Sequence, residues 1–143
     1  MKILVLNGPN LNMIEKRDAS LYGKHSLDNI KKLLSEEFTS ISFVFFQSNI
    51  EGELINEIQN AAAKKYDGII INPGGYAHTS VALHDALEEC KLTKIEVHLS
   101  HLGKREEFRQ NLLTASACNG YISGFKEYSY MAAVYLLLKL IKK

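Results

Sequence analysis

The sequence has almost no excess of charge of either sign. Its 143 residues include 17 lysines and arginines against 16 aspartates and glutamates, so the formal net charge is +1. Surfaces that bind nucleic acid or anionic lipid depend on a basic excess, which is missing here. We therefore expect no nucleic-acid or membrane partner. A preference for an anionic substrate would have to come from locally placed arginines, histidines and backbone amides.

Cysteines and long apolar runs are also scarce. The 2 cysteines, Cys90 and Cys118, lack a CxxC spacing, which favours reduced, partly buried thiols over a disulfide or a metal pair. The apolar start, Met1–Leu6, is cut short by Gly8-Pro9, which argues against a secretory signal. The apolar segment Met131–Ile141 is too short to cross a bilayer and contains a lysine. We expect a soluble, cytoplasmic protein.

Short apolar runs alternate with segments of helical periodicity along the whole chain. The predicted strands span 2–6, 41–46, 68–71, 94–99 and 120–123. Helices are predicted after Ser26, around 54–62, after Thr79-Ser80 and over 128–141, where the apolar stripe holds Met131, Val134, Tyr135, Leu138 and Ile141. Such alternation is typical of parallel strands joined by crossover helices. We predict a flavodoxin-like, doubly wound α/β fold, a three-layer sandwich of five parallel strands in the order 2-1-3-4-5.

The connection between the first strand and the first long helix is unusually long. It covers about 18 residues, over 8–25, against ~2–6 residues for most βα connections. Connections of this length are either disordered or functional, and the presence of Asn10, Arg17 and Tyr22 favours function. We expect a single catalytic domain over 1–143, with a lid loop at about 17–24.

Polar residues collect where the predicted strands end. They are Asn7, Asn10 and Asn12 after the first strand, Asn72, Gly74, Gly75 and His78 after the third, and Glu96, His98, Ser100, His101, Arg105 and Arg109 on or after the fourth. In an open parallel sheet, ligands bind outside the carboxyl ends of the strands, near the point where the strand order reverses. The sequence therefore predicts a polar ligand site at this edge of the sheet.

Several motifs of cofactor, metal and nucleophile sites are missing. The chain has no GxxxxGK[ST] phosphate loop, no GxGxxG dinucleotide fingerprint and no GxSxG nucleophile elbow. His78, His84, His98 and His101 lack the HExxH arrangement, and scattered histidines at a sheet edge are more often hydrogen-bonding groups than metal ligands. We predict no cofactor and no metal.

Two pairs of residues have spacings that suit acid–base chemistry. Glu96 and His98 are two apart on a strand and face the same side of the sheet, so the carboxylate can orient the imidazole as a general acid. A buried structural ion pair is the alternative. Arg17 and Tyr22 share the long connection, and a guanidinium beside a phenol favours the phenolate, a general base. Spacing alone favours a plainer interpretation of this second pair, a solvated arginine and a tyrosine that packs the connection down.

Six blocks of the sequence resemble type II 3-dehydroquinate dehydratases, in the same order and from end to end of the chain. They are NGPNLN at 7–12, Arg17 with LYG at 21–23, QSN with EGE over 47–53, NPGGYAHTS at 72–80, EVHLS at 96–100 and REEFR at 105–109. The resemblance implies a flavodoxin-like fold and a homododecamer, a tetramer of trimers. It also implies anti elimination of water from 3-dehydroquinate to 3-dehydroshikimate through an enolate, in the shikimate pathway, without a Schiff base, metal or cofactor.

The resemblance assigns roles to individual residues. Tyr22 removes the C2 proton with Arg17 beside it, and Asn10 positions a water that holds the enolate. His98, oriented by Glu96, protonates the departing C1 hydroxyl. The implied substrate contacts are Asn72, Leu99 and Ser100 near the carboxylate, and His78, Asp85 and Arg109 on the hydroxyl face, with Asp85 supplied by a neighbouring subunit.

The sequence departs from the family in several places, and two other functions stay open. Ala19 stands where the family usually has proline, so we expect a more mobile lid, and Leu112-Leu113 replaces a frequent Ser-Tyr pair. The first alternative is a non-catalytic flavodoxin-like module that binds an anion or a flavin. The second is an inactive homologue that acts only through oligomer contacts. Retention of a candidate acid and a candidate base together argues against this second alternative.

Overall fold

A computed structural model describes residues 1–142, which form one five-stranded sheet with helices on both faces. The strands are β1 (Lys2–Asn7), β2 (Ser42–Gln47), β3 (Gly68–Asn72), β4 (Thr93–His98) and β5 (Gly120–Ser123). The α-helices are α1 (Ala19–Tyr22), α2 (Leu27–Glu37), α3 (Glu51–Gln59), α4 (Val81–Glu89) and α5 (Tyr128–Ile141). Short 3₁₀ helices cover Leu11–Lys16, Gly74–His78, Leu102–Lys104, Glu107–Gln110 and Ala115–Ala117. All strand pairs are parallel, in the order β2-β1-β3-β4-β5, so the predicted flavodoxin-like α/β fold is confirmed.

The core has two layers because side chains on a strand alternate between the faces of the sheet. On β3, Ile70 packs with residues of α2 and α5, whereas Ile69 and Ile71 pack with residues of α3 and α4. All three isoleucines have 0% of their surface exposed. Burial of a central parallel strand on both faces explains why its sequence is a continuous apolar run.

Serine side chains start the two helices for which the sequence predicted them as caps. Ser26 Oγ accepts a hydrogen bond from Asn29 N–H at 3.1 Å, and Ser80 Oγ accepts one from Leu83 N–H at 2.9 Å. Each bond satisfies a backbone donor that has no partner within the first turn of its helix. The cap at Ser80 places the first turn of α4 directly after the segment that ends at His78.

The closing helix packs on the core along most of the predicted stripe: Val134 is fully buried, and Met131, Leu138 and Ile141 are partly buried against the core. Its fully buried residues are Ser129, Tyr130, Ala133, Val134 and Leu137, whereas Tyr135 is 56% exposed. The helix is apolar around most of its circumference, so the hydrophobic period does not fix which face meets the sheet. Although α5 is the most apolar helix, no helix within residues 1–142 is long and apolar enough to cross a membrane.

The long connection after β1 is largely helical, where the sequence predicted only a loop. Its 3₁₀ helix, Leu11–Lys16, buries Leu11 and Ile14 against the core. The single turn of α1 follows, with the Asp18 side chain accepting a hydrogen bond from Ser20 N–H at 2.9 Å as its N-cap. These two turns carry Tyr22 to the edge of the sheet, where it is 9% exposed.

The two cysteines are half-buried and unpaired, as predicted. Both pack against the apolar layer that α3 and α4 form with the sheet. Burial raises the pKa of the Cys118 thiol to about 12, so this thiol stays protonated at neutral pH.

Candidate active site

A polar cleft lies beyond the carboxyl ends of β3 and β4, beside the helical connection that follows β1. Its volume is about 350 Å³, part of it open to solvent. The cleft is lined by Leu11, Arg17, Tyr22, Asn72, Gly74, Gly75, His78, His98, Leu99, Ser100, Leu102, Arg105 and Arg109. This is the edge of the sheet at which the strand order predicts ligand binding.

Two guanidinium groups bind the hydroxyl oxygen of Tyr22. Arg17 Nη2 donates to it at 2.5 Å and Arg105 Nη1 donates at 2.7 Å. The guanidinium carbon of Arg17 also lies 3.7 Å from the centre of the phenol ring. Because a guanidinium can only donate hydrogen bonds, both contacts require the phenol oxygen to accept. The two donors fix the phenol oxygen at the edge of the cleft, where it can act on a ligand.

The carboxylate of Glu96 lies between His98 and Thr114. Glu96 Oε1 is 2.6 Å from His98 Nε2, and Glu96 Oε2 accepts a hydrogen bond from Thr114 Oγ1 at 2.6 Å. Glu96 is completely buried (0% exposed), and a protein group satisfies each of its oxygens, as a buried carboxylate requires. With Nε2 of His98 held by the carboxylate, Nδ1 is the ring nitrogen left for a ligand in the cleft.

His78 lies beside His98, with ring centroids 6.1 Å apart. Its Nδ1 is 2.8 Å from the carbonyl oxygen of Asn111, and since a carbonyl only accepts, Nδ1 carries the proton of this hydrogen bond. Burial lowers the pKa of His78, an effect that outweighs the opposing contribution of the Asn111 hydrogen bond. The imidazole is therefore neutral at neutral pH, and Nε2 is a hydrogen-bond acceptor.

Comparison with known proteins places the chain in a family. The model of the family described as "Dehydroquinase class II" matches residues 1–138. The chain belongs to the class II dehydroquinases. It is 51% identical over 144 residues to a 3-dehydroquinate dehydratase of Clostridium perfringens (strain SM101), with 99% of each protein covered. It is 46% identical over 147 residues to a 3-dehydroquinate dehydratase of Fusobacterium nucleatum, with 100% of both covered.

A solved structure of the same family has the same fold. The crystal structure of a type II dehydroquinase from Butyrivibrio crossotus matches with a TM-score of 0.93 and 42% sequence identity. The match covers 96% of this chain and 97% of that one. The sheet order described above is therefore the fold of a class II dehydroquinase.

Most of the site residues predicted from the sequence line the cleft, but three do not. Glu96 lies behind His98, as described above. Asn10 is exposed, adopts a left-handed conformation with φ 69°, and donates its backbone N–H to Asn49 Oδ1 at 3.0 Å. Asp85 lies on α4 with 69% of its side chain exposed, 3.1 Å from His84 Nδ1. Within one chain, Asp85 is therefore not brought to the cleft.

Two contacts of the site were not predicted: Arg105 was expected at this edge of the sheet without a stated role, and Thr114 was not expected there. Arg105 binds Tyr22 and also donates from Nη1 to Ser100 Oγ at 3.0 Å. Its place after β4, four residues before Arg109, was the signal available in the sequence. Thr114 lies in a segment without helical or strand periodicity, so no sequence pattern pointed to its contact with Glu96.

The donors of a metal site are not gathered anywhere in the described chain. Within residues 1–142, no group of three or more histidine, cysteine, aspartate or glutamate side chains is placed to hold a metal ion. His84 pairs with Asp85 on α4, away from the imidazoles of His78 and His98 in the cleft. The nitrogen and oxygen donors that line the cleft instead suit hydrogen bonding to a small polar ligand.

Proposed function

We propose that this chain is a 3-dehydroquinate dehydratase, a hydro-lyase that converts 3-dehydroquinate to 3-dehydroshikimate by anti elimination through an enolate. The observation that carries the proposal is the phenol of Tyr22 under two guanidinium groups, in the same cleft as an imidazole paired with a buried carboxylate. A base and an acid in one cleft are the two groups that the elimination requires.

The elimination divides into two proton transfers. The phenolate of Tyr22 takes the C2 proton, which is acidic because it lies next to the C3 ketone, and the electron pair of that bond forms the enolate. The enolate then expels the C1 hydroxyl, which leaves as water because His98 gives it a proton. Hydroxide is a poor leaving group, so the acid is required for this step. Asn10 is the residue we assign to the water that binds the enolate oxygen.

The rest of the cleft binds the substrate in this proposal. Asn72, Leu99 and Ser100 hold the carboxylate, and Arg109 and neutral His78 contact the hydroxyl face. The acceptor Nε2 of His78 suits a hydroxyl donor. We assign Asp85 to the site of a neighbouring subunit in a homododecamer, a tetramer of trimers. The segment 17–24 acts as a lid because it carries both Arg17 and Tyr22.

Covalent Schiff-base chemistry does not suit this cleft. Among residues 1–142, no lysine lines it. A buried lysine, Lys94, donates its Nζ to the carbonyls of Cys90 and Leu92 at 2.6 and 3.1 Å instead. Since no lysine amine faces the cleft, the enolate would have to be stabilised by hydrogen bonds.

The direct test is an assay of the purified, chelator-treated protein with 3-dehydroquinate, followed by the ultraviolet absorbance of the conjugated enone product. We expect absorbance to grow, and to grow equally with enzyme that was first treated with substrate and borohydride and then freed of both. The rate of growth should fall by about a thousandfold or more in Tyr22→Phe. His98→Ala should also lose most turnover while the protein stays folded. No growth from folded wild-type protein would overturn the proposal and leave a binding module as the better interpretation.

A further inference from the structure

A chain of hydrogen bonds joins the closing helix to the cleft. Gly74 N–H donates to Asn72 Oδ1 at 3.2 Å, Asn72 Nδ2 donates to the Tyr130 hydroxyl at 3.0 Å, and that hydroxyl donates to Asn7 Oδ1 at 2.5 Å. Asn7 and Asn72 are each 2% exposed and Tyr130 is 0% exposed. The two asparagines are register partners at the ends of β1 and β3, so one phenol from α5 bridges two adjacent strand ends.

The direction of every bond in this chain follows from the backbone donor at one end. An N–H group can only donate, so the Asn72 atom that faces Gly74 must be the amide oxygen. The amide nitrogen then faces Tyr130, whose oxygen accepts, and the phenol proton is left for Asn7. Burial raises the pKa of Tyr130, so the phenol keeps this proton under all ordinary conditions.

This arrangement determines what Asn72 offers to the cleft that it lines. Its amide nitrogen has two protons, of which one is donated to Tyr130. The donor that remains for a ligand is the second N–H, whereas the oxygen is already engaged by Gly74. Without the phenol oxygen as an acceptor, the amide would lose one of the two hydrogen bonds that hold it in this orientation.

We infer that Tyr130 is a positioning residue: it holds the Asn72 amide with an N–H toward the cleft and so makes the site select a carboxylate over an uncharged carboxamide. The inference rests on the proposed function, in which Asn72 holds the substrate carboxylate. A carboxylate oxygen only accepts hydrogen bonds and matches a fixed donor. A carboxamide has both donor and acceptor atoms and gains more when the partner amide is free to turn.

The test compares two ligands by calorimetry, 3-dehydroshikimate and its carboxamide, on wild-type protein and on Tyr130→Phe, which keeps the ring and removes only the hydroxyl. We expect the preference for the carboxylate to fall by about tenfold in the variant. The KM for 3-dehydroquinate should rise by a similar factor of about ten while kcat changes by less than about twofold. The matched control is Tyr135→Phe on the same helix, where the phenol is 56% exposed and both ligands should bind as in wild type.

A second variant covers the case in which Tyr130→Phe does not fold. Asn7→Ala removes the acceptor of the phenol proton. The phenol can then donate to the Asn72 amide oxygen, which favours the turned amide and should lower the same preference for the carboxylate. An unchanged preference in a folded variant, or an equal loss of affinity for both ligands, would overturn the inference and leave Tyr130 with a packing role. The proposed function fails by a different result, namely wild-type protein that neither binds 3-dehydroshikimate nor converts 3-dehydroquinate.

Discussion

At the scale of single residues, the hydroxyl oxygen of Tyr22 is bound by arginines from two distant parts of the chain. Arg17 precedes it by 5 residues, but Arg105 follows it by 83 and is brought to the same oxygen by the fold. A second guanidinium donor on the phenol oxygen fixes the position of that oxygen in the cleft. Arg105 is largely buried and holds Ser100 as well, so its contribution is little screened by solvent.

Replacing Arg105 by methionine should lower kcat by about a hundredfold, because one of the two donors to the phenolate is lost. KM should also rise, since Ser100 loses its partner at the proposed carboxylate site. Steady-state kinetics with 3-dehydroquinate measure both effects. The control is Lys104→Met, which removes a neighbouring exposed cation and should leave both constants within about twofold of wild type. Equal effects of the two substitutions would contradict a specific role for Arg105.

His78 links protonation to stability. Burial lowers its pKa in the folded protein, so the unfolded chain takes up a proton near pH ~6.5 while the folded protein resists it. The unfolded state then binds more protons, and the free energy of unfolding falls as the pH drops from about 7 toward the lowered pKa, below which this contribution levels off. At and above about pH 7 the residue contributes no pH dependence.

His78→Asn should flatten the acid side of this stability profile while it keeps the donor to the Asn111 carbonyl, because the amide nitrogen of asparagine occupies nearly the place of Nδ1. Unfolding midpoints measured between about pH 5 and 8 for wild type and variant test this expectation. Parallel profiles for the two proteins would show that His78 is not the group that titrates. A steeper profile in the variant would reverse the sign of the proposed linkage.

At the scale of secondary-structure elements, the first turn of α1 allows the stability of the proposed lid, segment 17–24, to be tested. Ala19 is its first residue, and Asp18 before it is extended, with φ −62° and ψ 110°. Proline is favoured at the first position of a helix and requires an extended residue before it. The conformation therefore accepts a proline at position 19.

Ala19→Pro should stabilise the lid by about 0.5–1 kcal/mol, because it restricts the unfolded chain more than the folded one. We expect slower proteolysis within 17–24 and a lower KM for 3-dehydroquinate. Ser20→Pro is the matched control, since it removes the N–H that donates to Asp18 at 2.9 Å and should loosen the same turn. Faster proteolysis in Ala19→Pro than in wild type would contradict the expected stabilisation of the proposed lid.

The elements differ in how far the sequence determines them. β3 is buried on both faces, so its apolar run and the turn residues after it mark the strand closely, and Ser26 marks the start of α2 through a local hydrogen bond. The predicted stripe of α5 was wrong at Tyr135, which is exposed, because apolar residues surround the helix and only contact with the sheet selects Tyr130 for the interior. Glu96 and His98 could be paired from their spacing on one strand, but the contact of Arg105 with Tyr22 depends on tertiary structure alone.

At the scale of the whole molecule, the proposed site is incomplete within one chain. Tyr22 and His98 line the same cleft, whereas Asp85 is exposed on α4 and takes no part in it. If a neighbouring subunit supplies Asp85, a head-to-tail ring of subunits gives each cleft one residue from outside its own chain. Activity would then depend on assembly, and two variants with defects in different chains would be able to complement each other.

Tyr22→Phe and Asp85→Ala should each be nearly inactive alone, and exchange of their subunits should restore activity. In an equal mixture, roughly a quarter of the clefts would combine an intact Tyr22 with an intact Asp85 from the next subunit around the ring. Activity measured before and after dissociation and reassembly gives the result. The control is a mixture of Tyr22→Phe with His98→Ala, which should stay inactive because both residues must come from the same chain. No recovery in the test mixture would show that each chain builds its site alone and that Asp85 acts elsewhere. Recovery in the control would show instead that Tyr22 and His98 of one active cleft come from different chains.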